Sequence, residues 1–249
     1  MANTNLEHRP LHDRNQVVWQ HVEGWVGDRV YGVLEWIHAH QTARNLRCDI
    51  VEIGVHHGKF FLMMTAMLRE NERAVAIDLW EDQHLNVDGS GRGNRGIFLD
   101  HAALIDPEAD IRLLSGDSMA LRAADLHEGM VSKSVRLFSV DGGHTVAHVV
   151  NDLTLAQEVI APGGIIAVDD FLGAAWPSVS EGVFKFLSER NLRLAPFLIF
   201  QNKLWLTTFS EHQDVLESAG QYFQNAVGAE WHSRWRYTQI SGFKTLAFF

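Results

Sequence analysis

The chain has 249 residues, 46% of them hydrophobic, which is enough for one sizeable core without requiring two domains. Its 31 Asp and Glu outweigh 21 Lys and Arg, for a formal charge of -10, and no segment is dense in Lys and Arg, which argues against a nucleic-acid partner. The single cysteine, Cys48, excludes an intramolecular disulfide and a cysteine-rich zinc site; with no apolar signal core and no run near the roughly 18–20 apolar residues of a membrane span, a soluble cytoplasmic protein is expected.

The residues up to about Arg14 are polar and read as loose or bound to a partner. From Gln16 to His40 the apolar positions (among them Val18, Val22, Val26, Val30, Val33, Leu34 and Ile37) recur at three- and four-residue steps, which predicts two helices meeting near Gly24–Asp28. Asp49-Ile-Val-Glu-Ile-Gly-Val-His-His-Gly58 then reads as a buried strand, a glycine turn and the start of a helix over Lys59–Leu68. Such a unit brings backbone N–H groups and a helix N-terminus against a small molecule. Short apolar runs follow at Ala74–Leu79, Ile111–Leu114, Val135–Asp141 and Gly164–Asp170, separated by helical or loop segments. That alternation indicates a parallel sheet covered on both faces.

Between the second and third runs, Glu81–Gly96 is a long polar loop with four glycines in its last eight residues, and it reads as a mobile lid over the ligand. A helix near Ser178–Arg190 leads to two apolar runs, Leu194–Phe200 and Lys203–Phe209, joined by Gln201-Asn202; this is a hairpin and hence one antiparallel strand. After Ser210 a helix begins (Val215, Leu216, Tyr222, Phe223, Val227), and an aromatic tail follows (Trp231, Trp235, Tyr237, Phe243, Phe248, Phe249), expected to pack on the core or on a subunit interface. The organisation is a helical extension over 1–45, a central domain over 46–210, and a helix with an aromatic tail over 211–249.

Ligands of an open parallel sheet sit outside the carboxyl ends of its strands. Here an acid lies at or near all five: Glu52, Asp78, Asp117, Asp141 and the pair Asp169-Asp170. Singly these read as turn and cap residues, and Asp117-Ser118 also reads as an N-cap pair. Together on one edge they favour a polyol, a cation or a metal over a free phosphate. Asp141, Asp169 and Asp170 could supply the hard oxygen ligands that Mg²⁺ or Mn²⁺ prefers, or could cap the next helix and close a turn. His144, three residues after Asp141 past a glycine pair, is the candidate general base. His148 lies one helical turn further on, and His56 and His57 line the glycine turn.

In this order and spacing, Val51-Glu-Ile-Gly-Val-His-His-Gly58, Ile77-Asp78, Ser115-Gly-Asp-Ser118, Val140-Asp-Gly-Gly-His144 and Pro162-Gly-Gly-Ile-Ile-Ala-Val-Asp-Asp170 resemble the class I S-adenosylmethionine-dependent methyltransferases. Within them the chain is most similar to the metal-dependent O-methyltransferases of natural-product pathways, such as the macrolide sugar methyltransferases, over Cys48 to Phe209. The resemblance implies a doubly wound, Rossmann-like α/β fold with a seven-stranded sheet and a C-terminal antiparallel hairpin strand. It implies S-adenosyl-L-methionine held by Glu52, Gly54, His56, Gly58, Asp78, Asp117 and Ser118, with His56 standing where many relatives have a middle glycine. It further implies Mg²⁺ or Mn²⁺ on Asp141, Asp169 and Asp170, and His144 and Asp141 as catalytic residues. The acceptor would be a hydroxyl of a sugar, glycoside or phenol in natural-product (antibiotic) biosynthesis. Two other readings remain: a cephalosporin-hydroxylase-like oxygenase holding iron on the same acids, and a non-catalytic adenosyl-ligand-binding subunit. A homo-oligomer is left open by the amphipathic N-terminus and the tail.

Overall fold

The computed structural model of the chain describes residues 10–27, 29–226 and 234–248. Two helices, α1 (Leu11–His21) and α2 (Val30–Ala43), precede the sheet; the first begins ahead of Gln16, so residues 11–14, expected to be loose, are helical, and Arg14 is tied to the Ala66 carbonyl and to Asp106. Strands and helices then alternate: β1 (Asp49–Ile53), α3 (Lys59–Thr65), β2 (Ala74–Asp78), α4 (Arg95–Ile105), β3 (Ile111–Ser115), α5 (Ala123–Gly129), β4 (Val135–Val140), α6 (Val146–Val159), β5 (Ile160–Val168) and α7 (Pro177–Glu189). The chain closes with β6 (Leu194–Phe200), β7 (Lys203–Thr208), α8 (His212–Ala226), β8 (Trp235–Ile240) and β9 (Phe243–Phe248).

All nine strands form one sheet in the order β3-β2-β1-β4-β5-β7-β6-β9-β8. The first five are mutually parallel, and β7 runs antiparallel between β5 and β6. Gln201 and Asn202, at φ 54° and 69°, make the two-residue turn of the expected hairpin.

The sheet is nine-stranded rather than seven-stranded. The aromatic tail is itself a hairpin, turning at Ser241 (φ 48°) and Gly242 (φ 87°), and β9 pairs parallel with β6. Its anchor is Phe248, whose ring centroid lies 5.0 Å from that of Phe200 and 5.3 Å from that of Phe223 on α8. The tail residues Trp231 and Phe249, and Val227 of the preceding helix, lie outside the described residues.

Two cores cover the two faces. Trp36, Phe61, Phe98, Phe197 and Trp205 centre one, under α1–α4 and α8. Phe138, Leu153, Phe186 and Leu204 centre the other, under α5–α7. Each fully buried side chain of this kind contributes about 1.5–3 kcal/mol. Among the described residues, no helix is long and apolar enough to cross a membrane.

Candidate active site

The carboxyl ends of β1–β5 open onto one cavity of about 1020 Å³. That is at the upper end of the ~300–1,000 Å³ usual for single-ligand pockets, so two small molecules fit together. β1 and β4 approach very closely here. A Cβ on Gly54 (φ 86°) would sit 1.7 Å from the Asp141 carbonyl oxygen, so no other residue fits that turn. His56, in place of a middle glycine, adopts the left-handed conformation at φ 53°, a conformation costing an ordinary residue about 1–2 kcal/mol. Its backbone N–H donates to Asp78 Oδ2 at 2.7 Å, which helps hold the turn. The His56 ring lies against His57 (3.8 Å between centroids) and under Trp25 (5.1 Å), and burial together with His57 pushes its pKa down to about 4.

On the side of β2 and β3, Asp78 also accepts from the Trp80 N–H at 2.9 Å, and burial raises its pKa despite these bonds. Asp117 is both things the sequence allows. It caps the 3₁₀ turn Ser118–Ala120 through the Met119 N–H at 2.9 Å, and it lines the cavity with Ser118. Nothing lies within 4 Å of where a Cβ on Gly116 would point, so the floor between Asp78 and Asp117 is open. Gly54, Asp78, Gly116 and Asp117 thus bound one side of the cavity, with two carboxylates available as hydrogen-bond acceptors.

On the side of β4, β5 and β7, Asp141, His144 and Asp170 each offer one ligand atom, all within 4.8 Å of one another. Asp169 faces a different partner: its Oδ2 lies 2.5 Å from Nζ of Lys203, which is fully buried and also sits 4.4 Å from the centroid of the Phe60 ring. Asn202 donates to Asp170 Oδ1 at 2.9 Å. Four carboxylates (Glu52, Asp141, Asp169, Asp170) thus share two cationic partners, Lys203 and His144. Burial pushes the Glu52 carboxyl up to about 8, and burial with the Asp169 charge drives Asp141 well above the carboxylate range. Glu52 and Asp141 are pushed up for want of positive charge, while the hydrogen bond from His144 holds Asp170 below the usual range. Acids that outnumber their cationic partners in this way fit a divalent cation, and the carboxylates of Asp141 and Asp170 are the hard oxygen ligands that Mg²⁺ or Mn²⁺ prefers.

His144 is held on three sides. Nδ1 lies 2.9 Å from Asp88 Oδ2, Nε2 lies 3.1 Å from Asp170 Oδ2, and the ring stacks on Trp176 at 4.3 Å and 13°. Burial works against its charged form, but the hydrogen bonds to Asp170 and Asp88 outweigh burial and raise its pKa. His148 lines the same cavity on the Asp117 side, bonding Thr145 Oγ1 at 2.7 Å and lying 3.6 Å from Asp117. His57 is buried with Nδ1 3.3 Å from Glu23.

Sequence reasoning brought all of these acids to one edge, and it did not single out Lys203, Trp176 or Trp25, all of which line the cavity. The lysine left a signal, since a cation opening an otherwise apolar hairpin strand must find acids. Trp25 is 77% exposed on the α1–α2 connection and left none.

Residues 51–171 match the family described as a methyltransferase domain. No curated protein matches the sequence. Among solved structures, the O-methyltransferase NovP is similar at 15% identity and a TM-score of 0.57, over 71% of this chain and 79% of NovP. An O-methyltransferase from Bacillus cereus, in complex with SAH, is similar at 12% identity and a TM-score of 0.54, over 80% of this chain and 89% of its own. MycE, from the mycinamycin biosynthetic pathway and in complex with Mg, SAH and mycinamycin VI, is similar at 16% identity and a TM-score of 0.52, over 81% of this chain and 55% of its own.

Proposed function

We propose that this chain, whose residues 51–171 match a methyltransferase-domain family, methylates a hydroxyl of a small molecule, a sugar or glycoside, at the expense of S-adenosylmethionine and with a divalent ion assisting. The observation that carries the reading is the meeting of two half-sites in one cavity. The adenosyl-sized cradle of Gly54, Asp78 and Asp117 opens directly onto the cluster of Asp141, His144 and Asp170.

S-adenosylmethionine supplies an electrophilic methyl: the acceptor oxygen bonds that carbon as the carbon–sulfur bond breaks and its electron pair stays on sulfur. A Mg²⁺ or Mn²⁺ ion on Asp141 and Asp170, with Asp169 behind them on Lys203, would supply Lewis acidity that lowers the pKa of the hydroxyl. The chain's own residues do the rest. Asp78 accepts from the ribose hydroxyls, and Asp117 with Ser118 faces the adenine. Gly54 and Gly58 let the backbone close on the methionine part, and Glu52 shapes the floor beneath it. His144 Nε2 takes the proton that leaves the acceptor, and Trp176 keeps the ring in the plane that allows it. Alignment of acceptor oxygen and methyl carbon is the larger contribution, because the displacement is in line.

Calorimetric titration with S-adenosylhomocysteine, with and without Mg²⁺ and with NAD as control, tests the reading. Micromolar binding of the adenosyl ligand and none of NAD is expected. Failure to bind it in either condition, or turnover that demands dioxygen and iron, would overturn the proposal.

A further inference from the structure

The loop between β2 and α4 lines the cavity, and through Asp88 and Ser90 it reaches His144 in contacts that the proposed chemistry leaves unused. Val87 and Gly89 face solvent, Val87 being 60% exposed, yet the side chain of Asp88 between them is only 10% exposed. Its Oδ2 accepts from the His144 backbone N–H at 2.7 Å and lies 2.9 Å from His144 Nδ1, across 56 residues of sequence. Its Oδ1 accepts from the Ser90 N–H at 2.9 Å and from Ser90 Oγ at 2.5 Å. Asn86 braces the same turn, accepting from the Gly89 N–H at 3.0 Å and donating to the Ser90 carbonyl at 2.6 Å. The carboxylate is therefore aimed by its own loop, and Gly91 packs near His56 on the far side of the cavity.

We infer that Asp88 is the positioning residue of His144, so that the general base is assembled only while the 86–91 segment is seated over the cavity. The catalytic consequence rests on the methyl-transfer reading; the structural one rests on the contacts alone. A neutral imidazole carries one proton, for which Asp88 on Nδ1 and Asp170 on Nε2 compete; with Asp170 drawn to an ion, Asp88 would keep the proton on Nδ1 and leave the Nε2 lone pair turned toward the acid cluster. The same carboxylate steadies the imidazolium formed once Nε2 has taken the acceptor proton, as the buried aspartate of a Ser-His-Asp triad does. With the segment lifted, the ring keeps its stacking on Trp176 and its contact with Asp170, which favours the proton on Nε2, the nitrogen the base needs free. Seating the loop thus links exclusion of water to completion of the base.

Asp88→Asn tests this, with Asp88→Glu as the conservative variant. Three readouts apply: hydrogen exchange of the 86–91 amides, the ring ¹⁵N resonances of His144, and the steady-state parameters of methyl transfer. In Asp88→Asn the loop should exchange faster and the His144 resonances should report a changed tautomer balance. kcat should fall about 100-fold, the low end of what a positioned base contributes, with acceptor KM and S-adenosylhomocysteine affinity unchanged; Asp88→Glu should recover part of kcat. An Asp88→Asn enzyme with full kcat would overturn the inference, and so would unchanged exchange and resonances. If the wild-type chain transfers no methyl group, the exchange and resonance arms still decide whether Asp88 holds His144, so the two failures are told apart.

Discussion

At the amino ends of the parallel strands, Arg136 of β4 and Glu72 are buried in a dense net of hydrogen bonds, whereas at the carboxyl ends Glu52 of β1 is buried with Oε1 lacking a hydrogen-bond partner. Arg136 donates to both oxygens of Glu72 at 3.0 and 2.8 Å, to Gln41 Oε1 at 2.9 Å and to the Met67 carbonyl at 2.8 Å, and Arg69 adds a 2.8 Å bond to Glu72. Burial alone would raise the Glu72 pKa, but these guanidinium groups hold it below the usual range. At the other end Lys203 and His144 face four acids, and Glu52 and Asp141 are pushed up instead. Charge that is matched in place ties α2, β2 and β4 together. Charge that is left in excess is a site waiting for something positive, and the chain tolerates its cost because the balanced end and two large cores carry the stability.

This contrast can be broken from either side. Arg136→Leu strands a buried carboxylate among apolar neighbours, and loss of one partner of such a pair costs about 3–5 kcal/mol. Denaturant unfolding should show that loss, and a variant as stable as wild type would mean that the amino-end net is dispensable. The mirror experiment is Asp141→Asn. An amide replaces a carboxyl that burial and Asp169 already keep protonated without ligand, so the ligand-free midpoint should be unchanged or higher, while methyl transfer falls by about 10²–10³-fold with the loss of a metal ligand. Stability that drops along with turnover would show that Asp141 is structural and that the excess-charge account is wrong.

How much of this was legible follows the same division. The strand ends could be read because each apolar run has an acid at or near its end, and a parallel sheet sends all of those ends to one edge. The turn at Gly54 could be read from its glycines, and the substitution of His56 in it is accommodated by the bond to Asp78. What stayed hidden depends on pairings distant in sequence. Lys203 meets Asp169 only because β7 inserts beside β5, and Asp88 meets His144 only because the loop folds back across the cavity. The tail was read for its aromatics rather than for strand alternation. Trp235, Tyr237, Phe243 and Phe248 are spaced to build β8 and β9, but their turn, Ser241-Gly242, is a weaker signal than Asn-Gly.

The finest test of the contrast is the pH dependence of stability, because the two ends should give it opposite signs. Glu52 holds its proton in the folded, ligand-free protein up to a pKa of about 8, whereas the unfolded chain gives it up near 4.5. Between those values the folded state binds more protons than the unfolded one, so stability falls as pH rises through this window. Glu72 is shifted the other way: its contribution is present above its unfolded pKa and is lost as pH falls through the lower folded value. Glu52→Gln deletes the first effect and leaves the second. Relative to wild type, the variant should gain stability steadily from about pH 4.5 to 8, by at most about 1.4 kcal/mol per pH unit, and the difference should level off above pH 8. Saturating Mg²⁺ with S-adenosylhomocysteine should flatten the wild-type curve toward that of the variant, because added positive charge lowers the pKa that creates the slope. A difference independent of pH would mean that Glu52 is ionised in the free protein and that the carboxyl end is already balanced.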